Sequence, residues 1–289
     1  MTNADLDWTK PNIVDFTSRY PDIMNPSPRG KMITVSIIAL MVVLIIFGVW
    51  WLGLSFDRAI SGIRQLGLFV YLMTPPSADG NWLLYFKALG ETLSIALLGT
   101  LLGAILAFPL GLLAASNVIP SWIFRFGFRR ILDTLRSVDT LVWALIWINV
   151  VGLGPFAGVL AIASADVGAF GKLFSETIEG ASGKGAEGVR SAGGTKLHEI
   201  RFGLIPEVLP VMLGQVLYFF ESNTRSASII GIVGAGGIGL HLYEQIRTLE
   251  WQQVSFLVIM ILITVAIIDV ISSRLRMAIA GRRPTNQQS

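Results

Sequence analysis

The sequence predicts an all-α, polytopic membrane protein with six transmembrane helices and a water-exposed helix–turn–helix between two of them. Only 14% of the 289 residues are charged and 53% are hydrophobic, whereas soluble domains carry about 25% charged residues. Residues 32–56 and 92–124 carry no charge, and each run exceeds the roughly 20 residues that a bilayer core requires. A polar stretch at 187–206 interrupts the apolar pattern. We therefore expect membrane spans on either side of a segment that lies in water.

The first third of the chain is predicted to contain one span and one helix at the membrane surface. Residues 1–31 are polar and contain four prolines, so we expect a tail in the cytoplasm. Residues 32–56 form the first transmembrane helix. Residues 57–87 are predicted to be an extracytoplasmic connection that begins with an interfacial helix, because apolar residues recur there at helical spacing against Arg58 and Arg64.

A membrane core is predicted at 88–276, followed by a second cytoplasmic tail at 277–289. The second span begins at Thr92, because the preceding residue is charged. We expect the remaining four spans at 141–151, at 156–174, from Leu209 with interruptions at Glu221, Arg225 and the glycines 231–239, and at 251–273.

The distribution of basic residues predicts the orientation. With six spans, 17 of the 22 Lys and Arg residues fall on the side of the two termini and the polar stretch. Cytoplasmic loops carry an excess of basic residues. We therefore expect a multi-pass membrane protein with both termini and the polar stretch in the cytoplasm.

The polar stretch has the pattern of two short helices and a tight turn. Helical patterns at 186–192 and 195–202 flank Gly193 and Gly194, and glycine adopts positive φ without strain. Charged residues recur on both helices, so both have a solvated face. A polar hairpin between membrane spans is suited to contact a soluble partner protein.

This stretch resembles the coupling loop of bacterial ABC importer permeases, in which E-A-A, three residues, G, nine residues, I, one residue and L-P follow one another. Three residues match this pattern in register, namely Glu187, Gly193 and Pro206. Four residues depart from it: Gly188 and Val189 replace the alanines, Gly203 replaces the first Ile, and Ile205 replaces the Leu. Three further runs, beginning ETLSIALLG, RRILDTLRS and RSASIIGIV, resemble the phosphonate-type permease family. The resemblance covers most of the chain from Trp82 to Arg276.

The resemblance implies a permease of the bacterial cytoplasmic (inner) membrane, with a methionine-importer-like core and a coupling loop at 176–206. Its expected partners are two ATPase subunits, a second permease copy or homologue, an extracytoplasmic substrate-binding protein and the bilayer, but no nucleic acid. The expected substrate is a phosphonate or a related oxyanion such as phosphite or phosphate. The expected contacts with the ATPase lie in the hairpin, at Glu187, Arg190, Gly193, Gly194 and Pro206.

Polar residues inside the apolar stretches are candidates for a translocation path. Glu221 and Arg225 lie four residues apart, so they either neutralise each other or line a path in which Arg225 attracts an anion. The remaining candidates are Asp166, Asn223 and Ser226.

A run of glycines follows these residues and predicts a broken helix, which exposes backbone N–H groups that favour anions. The glycines are Gly231, Gly234, Gly236, Gly237 and Gly239. Three of them match a dinucleotide-binding G-x-G-x-x-G, but the acidic residue expected about 20 positions later is missing.

No cofactor, metal site or catalytic group is expected on this chain, and ATP is expected to be used by a partner subunit. Other functions remain open at this stage. The substrate could be an amino acid such as methionine, since those permeases share the fold. A stand-alone secondary carrier could also use a broken helix, but it would not need the polar hairpin. A membrane-embedded dehydrogenase would have to bind nicotinamide.

Overall fold

The structure is a computed structural model that describes residues 28–53, 55–119 and 121–280. In that part of the chain every regular element is a helix and no strand occurs, so the all-α prediction is confirmed. Most of both predicted tails lies outside the described residues.

The chain divides into two compact units, residues 1–68 and 69–289. The described part of the first unit contains helix α1 (Pro28–Trp51) and most of helix α2 (Phe56–Leu72). Helix α1 includes an apolar stretch of 22 residues, Gly30–Trp51, which is long enough to cross a bilayer. Helix α2 occupies the segment for which an interfacial helix is predicted.

The second unit begins within α2 and contains nine further helices in the part that the structure describes. They are α3 (Trp82–Ala114), α4 (Trp122–Ser137), α5 (Thr140–Val151), α6 (Pro155–Glu179), α7 (Lys184–Ser191), α8 (Lys196–His198), α9 (Ile205–Ile230), α10 (Ile238–Arg247) and α11 (Trp251–Ala280). Two π-helical turns adjoin α9, one before it at Glu199–Leu204 and one after it at Gly231–Ala235.

Helices α3, α6 and α9 form the core of this unit. Helices α3 and α6 meet along a seam of small residues, which allows a close approach of two membrane helices. One buried apolar cluster joins the three helices to Leu204 in the polar stretch, and another joins them to Ala235 in the second π-helical turn. The core therefore connects the polar hairpin at one end to the glycine run at the other.

Five of the described helices, or six if one bent pair counts as a single span, are long and apolar enough to cross a membrane. The bent pair is α4 and α5, whose axes differ in direction by 88°. Helix α5 corresponds to the predicted third span, but at 12 residues it measures only about 18 Å. The prediction of a third span formed by 141–151 alone is therefore wrong, because this segment is too short without α4.

Two other predicted span boundaries are also wrong. Helix α3 begins at Trp82 rather than at Thr92, and it includes Lys87 and Glu91. Helix α9 runs without interruption through Glu221 and Arg225. In both cases the prediction ends or interrupts a helix at a charged residue, although Glu91 and Glu221 have partners elsewhere in the fold.

Candidate coupling and translocation site

The polar stretch folds as a helical hairpin, residues 184–204, which we name the polar hairpin. Helix α7 forms its first arm, and α8 with the following π-helical turn forms the second. The chain reverses at Gly193, whose φ is +84°. A capping box between Thr195 and His198 starts the second arm by satisfying backbone N–H groups at its first turn.

The two arms are joined by an ion pair between Arg190 and Glu199. Arg190 Nε and Nη2 donate to the two carboxylate oxygens of Glu199 at 2.7 and 2.9 Å, and Lys196 Nζ donates at 3.2 Å. The hydrogen bonds that Arg190 itself donates to the Glu199 carboxylate raise the pKa of the Arg190 guanidinium. The fork of the guanidinium matches the carboxylate on the other arm.

The arms also meet backbone to backbone at Gly203. A Cβ atom at residue 203 would lie 2.6 Å from the Cα of Ala186, and one at residue 185 would lie 2.9 Å from the carbonyl oxygen of Gly203. Only glycine permits so close an approach. Gly203 is one of the departures from the resembling motif, and its absent side chain is what allows α7 to pack on the second arm.

The hairpin presents an exposed surface of mixed character. Leu197 and Phe202 are 72% and 59% exposed, although both are large and apolar. The Glu187 side chain is also exposed and forms no ion pair with any described residue. Exposed apolar side chains beside polar ones are typical of a protein–protein interface.

Helix α9 connects this hairpin directly to the centre of the fold. It follows the π-helical turn without a break, and Pro206 is its second residue. Glu207 in its first turn accepts a hydrogen bond of 2.7 Å from the N–H of Ser182 before α7. One continuous helix therefore joins the hairpin to the centre of the fold.

At the centre, Asp166 of α6, Asn223 of α9 and Thr100 of α3 form a buried polar cluster. Asn223 Nδ2 donates to Asp166 Oδ2 at 2.6 Å and lies 2.8 Å from Thr100 Oγ1. The exposed fractions of the three residues are 4%, 6% and 0%. These side chains join three helices to one another inside this chain. We therefore describe Asp166 and Asn223 as a link between helices in this structure.

A second polar cluster surrounds Glu221, which is buried on α9. Arg276 Nη2 of α11 donates to Glu221 Oε2 at 3.2 Å, and Arg225 Nη1 lies 3.6 Å from Glu221 Oε1. The sequence-based pairing of Glu221 with Arg225 is present, and Arg276 adds a second cation that sequence reasoning missed. A carboxylate within a membrane helix is tolerated when it is paired in this way.

Arg225 lies on a face of α9 that is largely exposed, although the Arg276 guanidinium of α11 lies 5.8 Å from the ring centre of Tyr218 on the same face. Its side chain is 49% exposed. Val211, Tyr218 and Ile232, which follow the same seven-residue spacing, are also exposed. The neighbouring Ser226 is half-buried. The structure thus places one cation in the middle of an apolar stripe, about two helical turns from either neighbour in the stripe.

The helix breaks where the glycines lie. Helix α9 ends at Ile230, and Gly234, Gly236 and Gly237 have φ angles of +102°, +82° and +72°. The chain then turns back at once into α10, so that Gly231 and Gly239 face each other across the turn.

Two residues that sequence reasoning missed hold this break in place. Glu91 Oε1 accepts a hydrogen bond of 2.9 Å from the N–H of Gly237, and Thr92 Oγ1 accepts one of 2.8 Å from the N–H of Ile238. Both N–H groups belong to the start of α10, where a helix has no partners of its own for them. A carboxylate is favoured there by the helix dipole. This contact explains why α3 can include Glu91.

Comparison with known proteins assigns this architecture to a family. Residues 107–283 match the family described as "binding-protein-dependent transport system inner membrane component". The chain is 40% identical over 240 residues to the putative phosphite transport system permease protein HtxC of Stutzerimonas stutzeri. The aligned region covers 82% of this chain and 84% of that protein. It is 35% identical over 212 residues to the phosphate-import permease protein PhnE of Mycolicibacterium smegmatis, covering 73% of this chain and 40% of that protein.

Solved structures share the fold. A chain of the MetNI methionine ABC transporter, in an inward-facing form, superposes with a TM-score of 0.61 and covers 70% of this chain and 99% of its own length. Its sequence identity to this chain is 18%, so the likeness concerns the fold alone. The predicted methionine-importer-like core is confirmed.

Proposed function

The chain belongs to the family of binding-protein-dependent transport system inner membrane components, and on that premise we propose that it carries a phosphorus oxyanion, such as phosphonate or phosphite, into the cell. It is a transmembrane permease subunit of an ABC importer, and thus a transport component of the inner membrane. Relatives named for phosphite and phosphate transport support the substrate class. The structural observation that supports this substrate class is the exposed position of Arg225 on α9, because a cation there attracts an anionic substrate.

The path is formed between two permease subunits, either two copies or this chain and a homologue. Each contributes the open stripe of α9, so that Arg225 and its counterpart face a shared passage. Asp166 and Asn223 hold α9 against α3 and α6, while Ser226 lies at the edge of the stripe. The glycine break and α10 form the end of the path opposite the polar hairpin.

Two ATPase subunits bind the polar hairpins of the two permeases in the cytoplasm, where both termini of the chain also lie. Glu187 and Gly193 are on the exposed side of the hairpin and Gly194 packs against Val189 in the turn, whereas Arg190 keeps the two arms together. ATP binding draws the two hairpins towards each other, and α9 transmits that movement to the path. An extracytoplasmic binding protein delivers the substrate.

Uptake into proteoliposomes tests the substrate class. The permease is reconstituted with its ATPase and binding protein, and uptake of methylphosphonate, phosphite, phosphate and methionine is measured with and without ATP. We expect ATP-dependent uptake of a phosphorus oxyanion and none of methionine. Uptake of methionine alone assigns the chain to amino-acid import, and ATP-independent uptake by the permease alone assigns it to the secondary carriers.

A separate experiment tests the contact with the ATPase. Glu187→Arg reverses an exposed charge on the polar hairpin, so we expect less ATPase to co-purify with the permease. Glu244→Arg is the matched control, because Glu244 is an exposed carboxylate on α10, away from the hairpin. Equal recovery of the ATPase with both variants would show that Glu187 does not contribute to the contact with the ATPase.

A further inference from the structure

A cavity with basic walls lies between α4 and α6, apart from both sites described above. Its volume is about 280 Å³, and its lining includes Arg125, Arg130 and Lys172. Liquid water occupies about 30 Å³ per molecule, so the cavity has room for a phosphate group together with its substituents. We name it the α4–α6 cavity.

The cations of this cavity differ in how far they are already paired. Arg129 is fully engaged, since its guanidinium donates to Glu179 at 2.6 Å and to the Ala114 carbonyl at 3.2 Å. Arg125 is half-buried, and its guanidinium forms neither a hydrogen bond nor an ion pair with any described residue. Arg129 therefore stabilises the wall, whereas Arg125 is available to a ligand.

Two further cations, Arg130 and Lys172, form only long ion pairs with Asp133. Arg130 Nη1 and Lys172 Nζ lie 3.8 and 3.7 Å from the carboxylate oxygens of Asp133, beyond the 2.7–3.2 Å of a good hydrogen bond. With Arg129 neutralised by Glu179, three cations (Arg125, Arg130, Lys172) face two carboxylates (Asp133, Glu176), which leaves a net charge of +1. One phosphodiester group neutralises that charge.

The surface beside the cavity is apolar and aromatic. Trp122, Ile123 and Phe124 at the start of α4 are 66%, 73% and 66% exposed. The ring of Trp122 lies 5.7 Å from that of Phe126, over which the Arg130 guanidinium is placed at 5.0 Å. Aromatic residues of this kind mark the level of the lipid headgroups, and basic pockets between membrane helices on the cytoplasmic side bind anionic headgroups.

We propose that the α4–α6 cavity binds the headgroup of an anionic phospholipid such as phosphatidylglycerol. Arg125, Arg130 and Lys172 bind the phosphodiester oxygens, and the acyl chains lie along the exposed apolar residues at the start of α4. The proposed orientation of the permease decides only which leaflet supplies the lipid, namely the cytoplasmic one. The binding itself does not depend on the transported substrate.

Native mass spectrometry of the assembled transporter tests this site. Phosphatidylglycerol and phosphatidylcholine with identical acyl chains are titrated separately onto the wild type, onto Arg125→Gln/Arg130→Gln and onto Arg136→Gln. Arg136 is the matched control, since it is exposed on the same helix but outside the cavity. We expect the wild type to bind phosphatidylglycerol more tightly than phosphatidylcholine. The double variant should lose about fivefold in affinity for each arginine, thus about 25-fold in total.

A charge-conserving variant and two competitors distinguish a lipid site from a site for free phosphate or for a protein. Arg125→Lys/Arg130→Lys should retain most of the preference, because the positive charges remain. Equal binding of the two lipids by the wild type, or an equal loss in Arg136→Gln, overturns the proposal. Displacement of phosphatidylglycerol by millimolar inorganic phosphate shows a site for free phosphate instead. Lipid binding by the permease alone but not by the assembled transporter shows a protein interface. Lipid binding is read without transport, so a failure of the uptake experiment leaves this result unaffected.

Discussion

The guanidinium of Arg190 and the carboxylate of Glu199 face each other across the turn of the polar hairpin and form two hydrogen bonds, of 2.7 and 2.9 Å. Glu199 is only 5% exposed, so water molecules have little access to its carboxylate and cannot readily replace the hydrogen bonds from Arg190. This ion pair fixes the angle between the two arms of the hairpin. A rigid hairpin transmits a push from a bound protein to α9, whereas a loose one absorbs it.

Glu199→Gln should uncouple ATP hydrolysis from transport. The amide cannot accept both hydrogen bonds of the Arg190 fork, and charge-assisted bonds are about twice as strong as neutral ones. We expect uptake to fall while the ATPase activity of the complex remains, so that less substrate enters per ATP hydrolysed. Lys196→Gln is the control, since Arg190 still holds Glu199. A normal ratio of uptake to ATP hydrolysed in Glu199→Gln would contradict this role.

Arg225→Ala should lower uptake of an anionic substrate by about tenfold or more. This factor corresponds to the free energy of losing one hydrogen bond to a charged group. Assembly should survive, because Glu221 keeps its bond to Arg276. Arg225→Lys should give intermediate uptake. Initial uptake rates in proteoliposomes measure the effect, with Arg247→Ala on α10 as a charge-removal control. Uptake by Arg225→Ala at the control rate would exclude Arg225 from the path.

Asn223→Ala should destabilise the permease by about 1–3 kcal/mol, the cost of leaving buried polar groups without partners. It removes the donor that serves both Asp166 and Thr100. Ser226→Ala is the matched control on the same helix, because the Ser226 hydroxyl makes no hydrogen bond within the described chain. The melting temperature of the purified protein measures both. Equal melting temperatures would show that the buried cluster contributes nothing to stability.

Gly239→Ala should destabilise the helix break by about 1–3 kcal/mol, as expected for overpacking. A Cβ atom at this position would lie 3.0 Å from the Cα of Gly231 and closer still to the carbonyl oxygen of Ser228, so the backbone has to shift. Gly214→Ala is the control within α9, where a Cβ meets no atom within 4 Å. It should change stability by less than about 1 kcal/mol. The same melting experiment distinguishes the two, and a smaller effect at Gly239 than at Gly214 would refute the packing.

Several features of the fold were predictable because they depend on residues close together in the chain. The long apolar runs, the polar stretch around Gly193 and the glycine run after Ile230 each carry a local signal in composition or period. Helix and turn formation respond to such local patterns. The structure accordingly has membrane-length helices, a hairpin and a broken helix at these places.

The partners of the charged residues were less predictable. Glu91 and Gly237 are 146 residues apart, and Glu221 and Arg276 are 55 apart. Without those partners, a charge inside an apolar run is easily mistaken for the end or the interruption of a span. This is why the predicted start of α3 and the predicted interruption of α9 were both wrong.

The sequence by itself determined that the chain is a helical membrane protein with a polar hairpin and a helix break, since apolar length and glycine content act locally on the backbone. Only the tertiary structure decided which side chains serve these features. It paired Arg190 with Glu199, buried Asp166 and Asn223 between three helices, and left Arg225 on an exposed face. The physical reason is that a buried charge is stabilised by whichever partner the packing of distant helices brings within hydrogen-bond distance.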